Sequence, residues 1–309
     1  MYCYFRQVKQ ATRALLIAGF GSVAALLLLT LPNPNVLAEE QQAPTIAIII
    51  DDMGHSYEHG VELINMPYPL TLSFLPNRRF TQRLVEMANF HGKEIMLHAP
   101  MQNSFGFGLG YGGLNKNMSE AEIKLTLINS FEKIKHMVGL NNHMGSVLTS
   151  DSKAMLWVME TVREYPFYFV DSRTSSLSVA ARTAEQLDIP SMSRDVFLDH
   201  VQDREFIQAQ FLKLLDIAME KGTAIAIGHP HPETIEYLSW ALTKLDEKGI
   251  SIASASNIWQ IRHPTQDIQQ QLAKRPQIPS QIRLADYTQE TIYPADTSAG
   301  QHLNTDKIN

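Results

Sequence analysis

Cysteine is nearly absent from this chain of 309 residues, since the single example is Cys3, close to the N-terminus. Without a second cysteine the chain cannot form an internal disulfide, so its stability must come from a hydrophobic core. Its length and its 44% hydrophobic content are sufficient for one large core. The absence of cysteine beyond the N-terminal segment also excludes a cysteine nucleophile there.

Several other features are missing. The sequence has no Walker loop, no Gly-x-Ser-x-Gly nucleophile elbow and no glycine-rich dinucleotide fingerprint at a strand-to-helix turn. An excess of positive charge is missing too, because the formal net charge is −6. An acidic chain is a poor candidate for binding nucleic acid or anionic lipid surfaces. Only one apolar stretch, near the N-terminus, is long enough to be compared with a membrane span.

That stretch belongs to a segment with the three parts of a secretory signal peptide. Arg6, Lys9 and Arg13 precede an apolar run over residues 14–31, and small residues precede a cleavage point after Ala38. We therefore expect residues 1–38 to be removed and the protein to be exported or periplasmic. Removal of the three cations takes the net charge from −6 to −9. The alternative is an uncleaved membrane anchor, because the run is longer than most signal peptides have.

Beyond a short linker at residues 39–44, strand and helix patterns alternate until about residue 262. Apolar, β-branched runs predict strands, and helical spacing predicts the segments between them. Gly92, Gly222 and Gly249 each end a helical pattern just before a strand, which favours a left-handed cap. Seven or eight such units indicate an α/β fold with parallel strands, best matched by a distorted or partly open (β/α) barrel. A doubly wound open sheet is the alternative. Residues 263–309 are rich in Gln, Pro, Thr and Asp and predict a disordered tail.

Polar side chains gather at one position in this pattern, the carboxyl ends of the predicted strands. Active sites form at that end in barrels and in open parallel sheets alike. The residues concerned are Asp51, Asp52, His98, His143, Asp171, Asp199, His200, His229 and His231. Local explanations exist for some of them: Asp51 and Asp52 suit a helix cap, and Asp171 could pair with Arg173. Two imidazoles, a carboxylate and an open position nevertheless make a catalytic zinc site, with further groups as base and acid.

Six segments in order resemble the divergent polysaccharide deacetylase family, and the resemblance covers roughly residues 44–262. They are Ile-Ile-Ile-Asp-Asp-Met-Gly (48–54), His-Ala-Pro-Met (98–101), Asn-Asn-His-Met-Gly-Ser (141–146), Phe-Val-Asp-Ser-Arg-Thr (169–174), Arg-Asp-Val-Phe-Leu-Asp (194–199) and Ile-Gly-His-Pro-His (227–231). The related metal-dependent polysaccharide deacetylases have a distorted (β/α) barrel, so the resemblance implies that fold.

The resemblance also implies roles. Asp51 corresponds to the general base, Asp52 and His98 to metal ligands, and His229 to the general acid, with His231 as its rival. The related enzymes carry a second histidine four residues after the first, where this chain has Gln102. His143 is the candidate to restore the ligand count. Asp171, Arg173 and Asp199 are candidate supporting residues.

The leading hypothesis is an exported hydrolase that uses a divalent metal, most simply zinc, to deacetylate an N-acetylated cell-wall or envelope glycan. One alternative is a non-catalytic glycan-binding or envelope-assembly protein on the same fold. Gln102 and the glycine- and aromatic-rich loop at residues 104–113 motivate that alternative. A third reading is a metal-free glycosidase that uses the carboxylates as acid and base.

Overall fold

The computed structural model describes residues 43–275 and contains one sheet in which every paired strand is parallel. The predicted signal peptide and residues 276–309 lie outside the described residues. The strands are β1 (Thr45–Met53), β2 (Thr71–Phe74), β3 (Glu94–Met101), β4 (Gly139–Met144), β5 (Tyr168–Asp171), β6 (Ser191–Ser193), β7 (Val196–Phe197), β8 (Thr223–Gly228) and β9 (Ser251–Ile252).

The strand order confirms the predicted barrel type. The sheet runs β6-β5-β4-β3-β2-β1-β8-β7, so the first six strands follow one another and β8 returns beside β1. A doubly wound sheet would instead reverse its order at a switch point. The apolar pattern of residues 191–198 predicts one strand, but the segment forms two: β6 pairs with β5, and β7 pairs with β8. The chain changes partners there, and the result is a distorted (β/α) half-barrel curled toward closure.

Helices follow most of the strands; all but the last two cover the outside of the sheet, and the last two pack against the cluster of side chains on its inner face. They are α1 (Tyr57–Asn65), α2 (Thr81–Phe90), α3 (Glu120–Phe131), α4 (Ser152–Arg163), α5 (Ala180–Gln186), α6 (Arg204–Lys221), α7 (Pro232–Ala241), α8 (Ala255–Arg262) and α9 (Ile268–Ala273). The predicted left-handed caps are confirmed, with φ of 66°, 83° and 65° at Gly92, Gly222 and Gly249. Within residues 43–275, no helix has the length and apolar character needed to cross a membrane.

Two layers of core explain why the strands are apolar on both faces. Ile46, Ile48 and Ile50 of β1 pack with the outer helices, whereas Ala47 and Ile49 belong to an inner cluster. Successive side chains point to opposite faces of a strand, so one strand contributes to both layers. This alternation also decides which polar residues at the strand ends face the interior.

The amino end of the barrel is closed by a helix that sequence analysis did not predict. Glu94, at the start of β3, accepts hydrogen bonds from the hydroxyls of Thr71 (3.0 Å) and Tyr168 (2.8 Å), and from the backbone and side chain of Ser256 in α8. Trp259 of α8 lies in the inner cluster. One carboxylate thus joins three strands to the helix that covers them.

The structured region continues beyond residue 262. Helix α9 lies inside the segment predicted to be a disordered tail, and its Ile268 and Leu272 are buried in the inner cluster. Asp267 caps the helix by accepting the backbone N–H groups of Gln269 and Gln270. The prediction of disorder from residue 263 is therefore wrong for residues 268–273, because two well-spaced apolar residues were enough to dock a short helix.

Candidate metal centre at the carboxyl end of the barrel

Inward-facing positions at the carboxyl ends of four strands provide the side chains of the candidate site. Asp51 continues the inner row of Ala47 and Ile49 on β1. The same alternation, read from inner-cluster residues on β3 and β8, directs His98 and His229 inward. On β4, Leu140 packs outward, which leaves the inner face to Asn141 and His143.

A β-bulge brings the two aspartates together. Sequence analysis placed both at the carboxyl end of the first strand. In the structure, β1 includes both, and its register with β2 shifts between Ile50 and Met53. Asp52 has φ 55°, a left-handed conformation that Asp tolerates better than most residues. The irregularity breaks the alternation of faces. Asp51 Oδ2 and Asp52 Oδ1 therefore both approach His98 Nε2, at 3.6 and 3.3 Å.

Asp52, His98 and His143 form one of two groups of possible metal ligands among the described residues; the other is Asp199, His229 and His231. Asp52 Oδ1 lies 2.9 Å from His143 Nδ1 and 3.3 Å from His98 Nε2, and the two nitrogens are 3.0 Å apart. Zinc–ligand bonds of about 2.0–2.1 Å imply ligand-to-ligand distances of about 3.3 Å in a tetrahedron. The three atoms are thus spaced as one face of such a site, slightly contracted.

The chemistry of the three residues also fits a cation. Asp52 Oδ1 is buried and accepts no hydrogen bond, a costly state unless a positive partner faces it. Burial raises the pKa of Asp52, but His143 and His98 outweigh it and hold that pKa well below its usual range. Burial, the largest effect, lowers the pKa of His143. Burial lowers the pKa of His98, but Asp51 and Asp52 outweigh it and raise that pKa, so metal binding by the carboxylate and the two imidazoles would release a proton from His98.

Asn141 orients His98 and Asp51 through its side-chain amide. Its side chain is fully buried and its Oδ1 lies 2.7 Å from His98 Nδ1 and accepts the Ser73 hydroxyl at 2.7 Å. Because the amide oxygen only accepts, His98 carries a proton on Nδ1, and Nε2 is the nitrogen that faces the centre. Asn141 Nδ2 donates to Asp51 Oδ1 at 2.7 Å. One amide therefore fixes both a ligand and a neighbouring carboxylate.

Asp51 is a buried carboxylate beside the ligand group, with 2% of its surface exposed. Burial raises the pKa of Asp51, and the charges of His98 and His229 and the hydrogen bond from Asn141 oppose this only in part. A carboxylate with a raised pKa binds a proton more readily than an ordinary aspartate, as a general base must. Asp51 does not share the short contacts of Asp52, so the two carboxylates are placed for different tasks.

His229 and Asp199 form a second pair on the same rim. Asp199 Oδ1 lies 2.9 Å from His229 Nδ1, while its Oδ2 accepts the His229 backbone N–H at 2.6 Å and the Thr234 hydroxyl at 2.7 Å. Burial lowers the pKa of His229, but Asp199 more than compensates and raises it to about 9. His229 is therefore protonated at neutral pH, with Nε2 left to face the centre.

The remaining predicted residues lie outside the group of Asp52, His98 and His143. His231 is the N-cap residue of α7, and its Nε2 lies 3.2 Å from Gln202 Nε2. Asp171 occupies the outward row of β5 with Phe169, because Tyr168 and Val170 take the inner face. Its carboxylate accepts the backbone N–H of Arg173 (2.8 Å) and the Ser178 hydroxyl (2.7 Å). Asp171 and Arg173 thus shape the loop after β5 and do not join the ligand group.

Sequence analysis missed Asn141 and Arg194 as site residues. Arg194 lies between β6 and β7 and donates to the carbonyls of Ser172 (2.7 Å) and Arg173 (3.0 Å). Burial lowers the pKa of Arg194, and Asp51 and Asp171 oppose that effect. A signal for Asn141 was present, since it lies two residues before His143 on the same strand face and pairs in register with His98. The signal for Arg194 was its place at the start of the segment 194–199, one of the six that resemble the family.

Comparisons with known proteins agree with this geometry. A family model described as divergent polysaccharide deacetylase matches residues 48–259. The Escherichia coli K12 protein YibQ, described as uncharacterized, is 34% identical over 235 residues, which cover 76% of this chain and 71% of YibQ. An uncharacterized protein of Haemophilus influenzae is 33% identical over 214 residues, covering 69% and 76% of the two chains.

The chain belongs to the divergent polysaccharide deacetylase family. Among solved structures, an uncharacterized protein of Agrobacterium tumefaciens C58 superposes with a TM-score of 0.67 at 24% identity, covering 70% of this chain and 89% of that one. This likeness supports the fold. Membership agrees with the family resemblance noted in the sequence.

In this member of the divergent polysaccharide deacetylase family, Gln102 stands where a second histidine was expected and makes structural hydrogen bonds instead. Its backbone carbonyl accepts the N–H groups of Val147 and Leu148, and its side-chain oxygen accepts the N–H of Lys116. Gln102 thus ties the long loop after β3 to the segment after β4. His143 instead approaches Asp52 and His98 from β4, so the group of three is assembled from β1, β3 and β4.

Proposed function

We propose that this protein is an exported, metal-dependent hydrolase that removes acetyl groups from an N-acetylated cell-wall or envelope glycan. The observation that carries the proposal is the group of Asp52, His98 and His143, with a buried carboxylate oxygen that no hydrogen bond satisfies. Family membership supports a glycan as substrate. The signal-peptide features of residues 1–38 support export.

Asp52, His98 and His143 would hold the metal, for which two imidazoles and one carboxylate suit zinc. When bound, a divalent metal there polarises the acetyl carbonyl and makes water a better nucleophile at neutral pH. The protein contributes the orientation of the ligands, since Asn141 fixes the tautomer of His98. Three protein ligands leave a position open for substrate.

Asp51 would act as the general base. It is buried next to the ligand group, and its raised pKa suits a group that takes a proton from the attacking water. The Asn141 amide donates a hydrogen bond to the Asp51 carboxylate, and the positive charge of Arg194 interacts favourably with it. After the attack, the proton remains on Asp51 until the product leaves.

His229 would act as the general acid and protonate the departing amine nitrogen. Of the two histidines in the His-Pro-His segment, only His229 is bonded to a buried carboxylate, and its pKa of about 9 keeps it charged at neutral pH. Asp199 is a positioning residue for this step. It holds the Nδ1 side of the ring, so the Nε2 proton is the one available for transfer.

The test is acetate release from N-acetylglucosamine oligomers and from purified cell-wall glycan. We expect turnover that a chelator abolishes and added zinc restores, and a loss of at least about 100-fold in Asp51→Asn and in His229→Gln. His91→Gln is the matched control, because His91 is exposed and follows α2 at the opposite end of the barrel. Glycan cleavage that persists in excess chelator would support a metal-free glycosidase and contradict the proposal.

A second candidate function is a non-catalytic glycan-binding protein. It is favoured by the structural use of Gln102 and by two exposed phenylalanines in the loop after β3. Glycan affinity that is unchanged in Asp51→Asn, together with no acetate release by the wild type loaded with metal, would select this function.

A further inference from the structure

The loop between β3 and α3 presents two stacked aromatic rings to solvent. Phe105 is 78% exposed and Phe107 is 62% exposed. Their ring centroids are 5.7 Å apart and their planes differ by 27°. Most large apolar side chains in the described part of the chain are buried, and an exposed pair of stacked rings is the kind of apolar surface that marks a binding site. We call Phe105 and Phe107 the aromatic platform.

A dedicated set of hydrogen bonds holds the platform in place. Asn103, only 7% exposed, accepts the backbone N–H of Phe105 (2.9 Å) and of Phe107 (3.1 Å) on the same side-chain oxygen. Its Nδ2 donates to the carbonyl of Phe107 at 3.1 Å. One buried amide therefore fixes the backbone on both sides of the platform, so the rings are presented by an ordered turn.

Further contacts hold the loop at its base and near Gly110. At its base, the backbone N–H of Gln102 donates to the carbonyl of Leu114, and the N–H of Leu114 donates to the carbonyl of Pro100. Within the loop, Gly110 has φ 68°, a conformation that favours glycine, and its backbone lies close to the Arg78 guanidinium, which an added Cβ would approach to 3.0 Å. A preorganised loop binds without a large ordering cost.

The platform lies beside the candidate metal centre. Asn103 Nδ2 is 3.0 Å from the sulfur of Met144, the residue directly after His143. Ser104 donates its backbone N–H to the hydroxyl of Ser146, two residues farther along the same segment. The segment that contains the proposed ligand His143 thus also makes the contacts that hold the base of the platform.

We propose that the aromatic platform is a carbohydrate subsite that binds a sugar ring of the glycan next to the one being deacetylated. One face of a pyranose ring is lined by C–H groups, which stack on the electron-rich faces of aromatic rings. The inference rests on the proposed function for its substrate class. It adds that the substrate is an extended glycan of two or more units, with one sugar at the centre and a neighbouring sugar on the platform.

The test compares binding of the β-1,4-linked tetramer of N-acetylglucosamine with binding of the monomer, by calorimetry on the protein loaded with zinc. We expect Phe105→Ala/Phe107→Ala to weaken tetramer binding about tenfold and to leave monomer binding unchanged. Phe90→Ala is the matched control, since Phe90 is 87% exposed at the C-terminal end of α2, which precedes the amino end of β3. We expect no change in that variant.

Asn103→Ala provides a second arm, because it keeps both rings and removes the bonds that place them. We expect it to reduce tetramer affinity as well. Equal tetramer affinity in the wild type and the double variant, or an equal loss in Phe90→Ala, would overturn the proposal. Asp52→Asn separates this result from the proposed function: tetramer binding that persists there, without acetate release, supports the subsite whether or not the hydrolase mechanism survives.

Discussion

The pairing of Asp199 with His229 gives the sharpest prediction about pH. The raised pKa of His229, about 9 against an ordinary value of 6.5, corresponds to a preference of about 3 kcal/mol for the charged ring, at about 1.4 kcal/mol per pKa unit. Asp199 supplies most of that preference, against the opposing effect of burial. In Asp199→Asn only the charges of Asp51 and Asp52 still oppose burial, so we expect the pKa of His229 to fall toward its ordinary value of 6.5.

The consequence for activity follows from the direction of the change. A general acid works only while protonated, so wild-type kcat/KM should be maintained through neutral pH and fall as pH rises through about 9. In Asp199→Asn the fall should occur near pH 6.5. At pH 8 the protonated fraction of His229 would change from about nine tenths to about one thirtieth, a loss of roughly 30-fold. The same pair stabilises the fold below pH 6.5, and that contribution disappears as pH rises through about 9.

The assay is a pH profile of acetate release, paired with NMR titration of the His229 ring, which reports its pKa without requiring turnover. Glu205→Gln is the control, because it removes one exposed carboxylate at the start of α6, near Asp199 in sequence. An alkaline limit that does not move in Asp199→Asn would refute the assignment of His229 as the acid. A wild-type ring that titrates near 6.5 would refute the electrostatic reasoning itself.

Two further predictions concern positions that sequence analysis overlooked. Asn141→Ala should weaken metal affinity by about 10- to 100-fold, since His98 loses the contact that fixes its tautomer; competition with a chromophoric chelator measures this. Glu94→Ala should lower the free energy of unfolding by about 3 kcal/mol, because Tyr168, Thr71 and Ser256 all lose their acceptor, and denaturant titration measures it.

Each of these has a control in the same region. Asn117→Ala removes an exposed asparagine in the loop before α3 and should leave metal affinity unchanged, so an equal loss in both variants would contradict the role of Asn141. Glu86→Ala removes an exposed glutamate on α2 that contacts His136 at the surface. If Glu86→Ala lowers the free energy of unfolding as much as Glu94→Ala does, the hydrogen bonds of Glu94 do not stabilise the protein as we propose.

The barrel and much of the candidate site could be predicted because their causes are local. Strand runs such as 45–50 and helix-ending glycines such as Gly222 reflect preferences of a few neighbouring residues. The rim residues could be identified because parallel strands bring their carboxyl ends together. Which of them face inward follows from the alternation along each strand, and this separates His98 from Asp171.

The remaining features depend on contacts between distant parts of the chain. The bulge at Asp52 is visible only when β1 is aligned with β2. The break between β6 and β7 arises because one segment pairs first with β5 and then with β8. Helix α8 is placed by Glu94, which lies 162 residues before Ser256. The choice of His229 over His231 likewise required the position of Asp199.

The most direct test of the central claim is the metal content of the chain from residue 39 onward, measured by mass spectrometry. The account predicts about one zinc per chain, lost in His98→Ala and in His143→Ala and kept in His91→Ala. Absence of metal in the wild type after incubation with zinc, or full retention in either ligand variant, would contradict a centre formed by Asp52, His98 and His143.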